Sequence, residues 1–279
     1  MPEELPVTSQ EETDTGSSRC FRIFEIIFIV GLLAIALVVE FSTLPQNKRD
    51  IPFQLISNAT FIRDLSYNWP IQEDESVSTL LLILLGIALP FVCQLLLAVF
   101  VLKPKRPFEI YNTSCSFVLV ISMTLLIIDM IKLYTGVLRP HFYDACQPDA
   151  SYEACTNTAD EYDSRLSFPS GHAGNSMAGL GSLSLYIHRR FGVGSVQSHA
   201  ISIKDEQLAR VWSMVSVLPV LLALYCGTSR IYDNYHQPAD VVGGAAIGAA
   251  SAYFCHWIYF WNLSSSKLTR GAQSETFEA

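Results

Sequence analysis

Charge is scarce in this chain. Asp, Glu, Lys and Arg make up 16% of its 279 residues, and a formal net charge of −8 leaves no excess of cations to follow a nucleic-acid backbone. The first 22 residues lack the basic start and small-residue cleavage site of a secretory signal, so the apolar run that follows is expected to remain as a membrane helix. No internal repeat and no second polar domain interrupt the sequence. Half of all residues are hydrophobic, and they gather in runs long enough to cross a hydrocarbon core, which takes about 20 helical residues.

Six such runs are expected to span, at about Ile23 to Leu44, Thr79 to Leu102, Cys115 to Tyr134, Ser170 to His188, Val211 to Thr228 and Pro238 to Trp261. Gly and Ser dilute the fourth. The expectation is an all-α, polytopic six-transmembrane-helix bundle over residues 23–263, with polar, disordered cytosolic arms at 1–22 and 264–279. Lys103, Lys105 and Arg106 after the second run, and Arg189, Arg190, Lys204 and Arg210 after the fourth, mark cytosolic loops. Loops 45–78, 135–169 and 229–237 then face outward or into a lumen.

Two features bear on that orientation. The sequon at Asn58 falls on the outer side as a glycosylation candidate, whereas those at Asn112 and Asn262 fall on the cytosolic side. Cys146 and Cys155 share an outer polar loop, where an oxidising compartment would let them close a disulfide. Cys93, Cys115, Cys226 and Cys255 read as small buried apolar groups, and Cys20 as that or a lipidation site.

Chemistry-bearing residues gather at three places. Lys132 and Arg139 lie seven residues apart and would share one helical face if the third helix continued to Pro140, although a lone Lys132 is as simply an interfacial, snorkelling lysine. Ser170, Gly171 and His172 open the fourth run. An N-cap serine followed by glycine there exposes unpaired N–H groups and a positive helix end suited to an anion, or forms an ordinary cap with an incidental histidine. Arg230, His236 and Asp240 lead into the sixth run. Pro238 suits a first helical position, and Asp240 could take the Nδ1 proton of His236, leaving Nε2 as a nucleophile.

In order and spacing these residues match a family signature: Lys132, six residues, Arg139-Pro140; Pro169-Ser170-Gly171-His172; Ser229-Arg230, five residues, His236, three residues, Asp240. The chain resembles the type 2 phosphatidic acid phosphatase superfamily, and its Arg139-Pro140-His141-Phe142 and Cys146 look like the lipid phosphate phosphatase branch. The resemblance implies phosphorylation of His236, protonation of the leaving oxygen by His172, orientation by Asp240, and phosphate binding by Lys132, Arg139, Ser170, Gly171 and Arg230. It implies no metal and no cofactor. Membrane lipids would be the partners, and phosphatidic acid, lysophosphatidic acid and related lipid phosphates the substrates. With the loop orientation above, the active site would lie on the extracellular or lumenal side of the plasma membrane or endoplasmic reticulum, and both termini would be cytosolic.

Alternatives stay open at this stage. A polyisoprenyl phosphate or diphosphate could be the substrate, His172, His236 and Asp240 could instead ligate a metal, or the fold could serve as a non-catalytic scaffold. A homo-oligomer is compatible with the sequence. Asp129 would pair with Lys132, His141 would rim the pocket or lie solvated, and Glu25 and Glu40 would reach toward headgroups. His188, His199 and His256 read as structural or surface residues, and Gly244 and Gly248 as a close helix contact.

Overall fold

Long apolar runs in this sequence become long helices, and in the computed structural model they pack side by side. The structure describes residues 8–57, 60–72, 74–100, 106–192 and 203–260. Asn58, Asn262, Lys103, Lys105, His199 and the expected arm at 264–279 lie outside them. Helix α1 covers Thr8–Phe41, so the amino-terminal arm, expected to be disordered, is helical from Thr8. An antiparallel pair of strands, β1 (Phe53–Ser57) with β2 (Thr60–Arg63), breaks the all-α pattern between α1 and the next helix.

Helix α2 (Thr79–Leu82) starts at an N-cap, where Ser78 accepts from Leu81 N–H. It continues through a π-helical segment, Ile83–Ala88, into α3 (Leu89–Phe100). Pro90 has no N–H to give the Gly86 carbonyl, which accounts for irregular winding there. That carbonyl lies against Gly179, where an added Cβ would come within 2.0 Å of it.

Helix α4 spans Arg106–Thr135, and the short helices α5 (Phe142–Cys146) and α6 (Glu161–Ser164) follow it in the chain. Cys146 and Cys155 are joined by a disulfide in the segment that follows α4. Helix α7 is Gly171–Phe191, α8 Ile203–Val215, α9 Val217–Tyr232 and α10 Pro238–Phe260. The break at Ser216 has a cause in Pro219, which cannot bond the Val215 carbonyl. The Ser216 carbonyl is taken by the Ser184 hydroxyl of α7 at 2.5 Å.

Among the described residues, five helical spans are long and apolar enough to cross a membrane: Arg19–Phe41, Thr79–Phe100, Pro107–Thr135, Lys204–Tyr232 and Pro238–Phe260. Helix α7, the expected fourth span, is not among them, although its 21 residues suffice in length. Thirteen of those residues are buried, because α10, α9, α4 and the α2–α3 helix surround it. Close packing needs small side chains. A Cβ on Gly244 would meet the Ser170 carbonyl at 2.2 Å and one on Gly248 the Gly174 carbonyl at 2.2 Å, so both glycines let α10 lie directly on α7.

Glu25 does not reach outward as expected; it accepts hydrogen bonds from Tyr111 at 2.5 Å and from Tyr259, tying α1 to α4 and α10. At the same end, Arg190 grips Glu109 at 2.6 and 2.8 Å. His256 is buried against Phe260, with ring centroids 4.8 Å apart.

Candidate active site

The end of α4 corrects one expectation. Gly136 adopts φ +53°, its N–H returns to the Lys132 carbonyl at 3.0 Å, and the helix stops before Arg139. A Cβ there would strike the Asn47 carbonyl at 1.8 Å, so space as well as φ calls for glycine. Lys132 and Arg139 therefore do not share a helix face. Lys132 sits on the last turn, its Nζ 3.9 Å from Asp129 Oδ1. Arg139 lies on an irregular segment whose backbone is held by Arg139 N–H to Ser164 O at 2.8 Å and Ser167 N–H to Val137 O at 2.9 Å.

Helix α7 brings its amino terminus to this place. Ser170 caps it by accepting from Ala173 N–H at 3.4 Å, and Ser170 N–H donates to the Asp240 carbonyl at 2.9 Å, joining the starts of α7 and α10. Lys132 Nζ stands 3.4 Å from where a Gly171 Cβ would be, so the lysine reaches across to that first turn. His172 lies within electrostatic reach of Arg230, His236, Arg139 and Lys132. Residues separated by over a hundred positions thus meet at one end of the bundle.

The loop between α9 and α10 supplies the rest. His236 is buried, and its backbone N–H donates to Arg230 O at 3.2 Å. Its Nδ1 lies 3.6 Å from Asp240 Oδ2, which is contact but longer than a hydrogen bond. Asp240 Oδ2 is held by the Ser167 hydroxyl at 2.6 Å and Gln237 N–H at 2.8 Å. Burial holds the His236 imidazole below its ordinary pKa, Asp240 offsets this in part, and Arg139 and Lys132 push further down. Neutral imidazole, the nucleophilic form, is favoured.

Four nitrogens here are buried without a hydrogen-bond partner among the described residues: Arg139 Nε, Arg230 Nε, His172 Nε2 and His236 Nδ1. Buried polar atoms are normally paired; His236 Nδ1 faces Asp240, whereas the gathering of the other three nitrogens at one place suits a polar ligand rich in acceptor oxygens. The arginines are otherwise anchored. Arg139 donates to Asp163 at 2.6 Å; Arg230 donates to Glu75 at 3.1 Å and Val77 O at 2.8 Å. The Tyr235 ring lies under both guanidinium groups, 4.3 Å from Arg230 and 5.6 Å from Arg139. Among the described residues no three His, Cys, Asp or Glu side chains are grouped to hold a metal.

Sequence reasoning missed Ser167, Asp163, Glu75, Asp233 and Tyr235. Only Ser167 carried a signal, a short polar side chain just before a helix start. His141 is buried rather than solvated; its Nδ1 lies 2.9 Å from Asn234 O and its ring meets Tyr235 edge-on at 5.0 Å. Burial, then the Arg139 charge, lowers its pKa.

A family model described as the PAP2 superfamily matches residues 113–264, the stretch holding all three clusters. The chain belongs to the PAP2 superfamily. That membership makes it a membrane-associated phosphohydrolase. It is 30% identical to Lipid phosphate phosphatase 2 of Arabidopsis thaliana, over 75% of this chain and 70% of that protein. It is 28% identical to Diacylglycerol pyrophosphate phosphatase 1 of Saccharomyces cerevisiae, over 81% of this chain and 76% of the relative. Phospholipid phosphatase 1 of Mus musculus is 29% identical, over 74% of this chain and 75% of the relative. No solved structure matches.

Proposed function

We propose that this PAP2-superfamily chain is a lipid phosphate phosphatase that hydrolyses phosphatidic acid, lysophosphatidic acid and related lipid phosphates through a phosphohistidine at His236. The observation that carries the reading is the meeting of Lys132, Arg139, the α7 amino terminus, Arg230 and His236, with the buried nitrogens Arg139 Nε, Arg230 Nε and His172 Nε2 left unpaired among the described residues. Lys132, Arg139, Arg230 and the N–H groups of the first α7 turn would neutralise the phosphoryl oxygens, so the reaction as drawn needs no metal.

In the first step, His236 Nε2 forms a bond to phosphorus as the bond from phosphorus to the ester oxygen breaks. Asp240 stabilises the charge that develops on the ring, after a movement of a few tenths of an ångström closes its gap to Nδ1. His172 donates a proton to the departing alkoxide; a phosphate dianion beside it favours the charged imidazole that must do so. In the second step His172 takes a proton from water, water oxygen attacks phosphorus, and the bond to His236 breaks. Lipid alcohol and inorganic phosphate are the products.

Three observations support a bundle with six spans and an outward-facing site. Helix α7 is long enough to cross, and its low apolarity follows from enclosure by other helices. The disulfide at Cys146 and Cys155 belongs to an oxidising compartment and lies on the outer segment next to the site. Arg189 and Arg190 lie at the other end of α7, where cytosolic cations belong.

A diphosphate lipid is the second reading, favoured by the similarity to the yeast diacylglycerol pyrophosphate phosphatase. The test is phosphate release from phosphatidic acid, and from a diphosphate lipid, in detergent micelles with excess chelator. Chelator-resistant release from phosphatidic acid is expected. Release confined to the diphosphate would replace the first reading with the second, and release from neither would leave a scaffold.

A further inference from the structure

Both phosphate-facing arginines are held in the same way. Each donates one terminal nitrogen to a carboxylate, Arg230 to Glu75 at 3.1 Å and Arg139 to Asp163 at 2.6 Å, and each leaves Nε without a partner among the described residues. In both pairs the cation is buried and the anion reaches solvent. The side chains of Arg230 and Arg139 are 2% and 9% exposed, those of Glu75 and Asp163 25% and 64%.

Asp233 is different in kind. It lies 3.6 Å from Arg230 but is fully buried, and both its oxygens are occupied, one by Ser76 N–H at 3.0 Å and the other by the Ser76 hydroxyl at 2.6 Å. It is a fixed counter-charge. Glu75 and Asp163 can leave for water without stranding a buried anion.

We propose that Glu75 and Asp163 are exchangeable counter-anions, positioning residues that hold Arg230 and Arg139 until phosphate arrives and that lower the affinity of the site for phosphate. The inference rests on the phosphohydrolase reading. A buried guanidinium with too few partners is strongly unfavourable, so the free site gains from anions beyond the one fixed charge of Asp233; further permanent anions beside both arginines would repel a phosphoryl group. Carboxylates with one side in water meet both demands. Because they compete equally with substrate and product phosphate, they raise KM and hasten product release. Tyr235 keeps both guanidinium planes in place while their partners exchange.

The test is competitive inhibition of lipid phosphate hydrolysis by inorganic phosphate in the full chain and in Glu75→Gln, Asp163→Asn and Glu75→Asp. The inhibition constant and KM are expected to fall together, about tenfold in Glu75→Gln and roughly twofold to fivefold in Asp163→Asn. Glu75→Asp, which keeps the charge, should stay near the parent. A purely structural role gives the opposite sign, with weaker phosphate binding. An unchanged or raised inhibition constant in both charge-removing variants would overturn the proposal. If Glu75→Gln does not fold, Asp163→Asn decides alone, since its side chain is mostly in solvent. A parent chain that neither hydrolyses lipid phosphate nor binds inorganic phosphate in a direct titration would overturn the functional reading with it. Hydrolysis by the parent with no tightening in the variants removes this inference only.

Discussion

Helices α1 and α7 relate composition to surroundings in opposite ways. In the apolar span of α1, Arg19–Phe41, Ile29 and Ala36 are buried and most of the large side chains point away from the protein. Helix α7 is rich in Gly, Ala and Ser, and 13 of its 21 residues are buried. Hydropathy therefore marks the surface a helix shows to lipid. The helix that carries part of the proposed site shows protein on nearly every side, and small residues let its neighbours approach.

The contrast can be broken most strongly at the α7 end. Replacing His236 with Ala should lower kcat/KM by roughly 10³-fold or more with the fold intact, and a loss below tenfold would remove it as nucleophile. His172→Ala should cost about 10²- to 10⁴-fold on a lipid phosphate, and much less in the first step when the leaving group needs no proton. Ser167→Ala is a gentler perturbation. It frees Asp240 from a 2.6 Å hydrogen bond and should lower kcat by roughly 10- to 10²-fold with little change in KM, a split that steady-state kinetics would read.

Stability should separate the helices as activity does. Gly248→Leu forces a side chain onto the Gly174 carbonyl and should destabilise the bundle by about 1–3 kcal/mol or more in a denaturant titration. Gly31→Ala in α1 meets no atom within 4 Å and should stabilise by roughly 0.5–1 kcal/mol through helix propensity. Equal effects at the two sites would contradict the packing argument.

The smallest effect concerns pH. His236 and His141 have folded pKa values below the ordinary 6.5, so between those values the unfolded chain binds protons that the folded chain refuses. Stability contributed this way is present above pH 6.5 and lost as pH falls below it. In kcat/KM, after correction for substrate ionisation, the acid limb from His236 should lie below pH 6.5. A limb at or above that value would mean the imidazole is not held neutral.

The long apolar helices were legible because apolar runs translate directly into helices, α7 being the exception, and the proposed site residues stood out by their spacing along the chain, Lys132, Gly171 and Asp240 in helix end turns and Arg139 and His236 in the connecting segments. The supporting partners were not legible. Glu75 meets Arg230 across 155 positions, and Asp240 receives Ser167 from 73 positions away. Such pairings exist only after the helices have packed. Gly136 shows the converse limit: the seven-residue spacing of Lys132 and Arg139 suggested one helix face, whereas a left-handed turn separates them.

The most direct test of the central claim is to trap the intermediate. His172→Ala would be mixed with a phosphate ester bearing a radiolabelled phosphoryl group and a leaving group that departs without a proton, then quenched in alkali and mapped by mass spectrometry. Label on His236 that accumulates because water is no longer activated is the expected result. Phosphate release with no label on His236, or label on another residue, would contradict it.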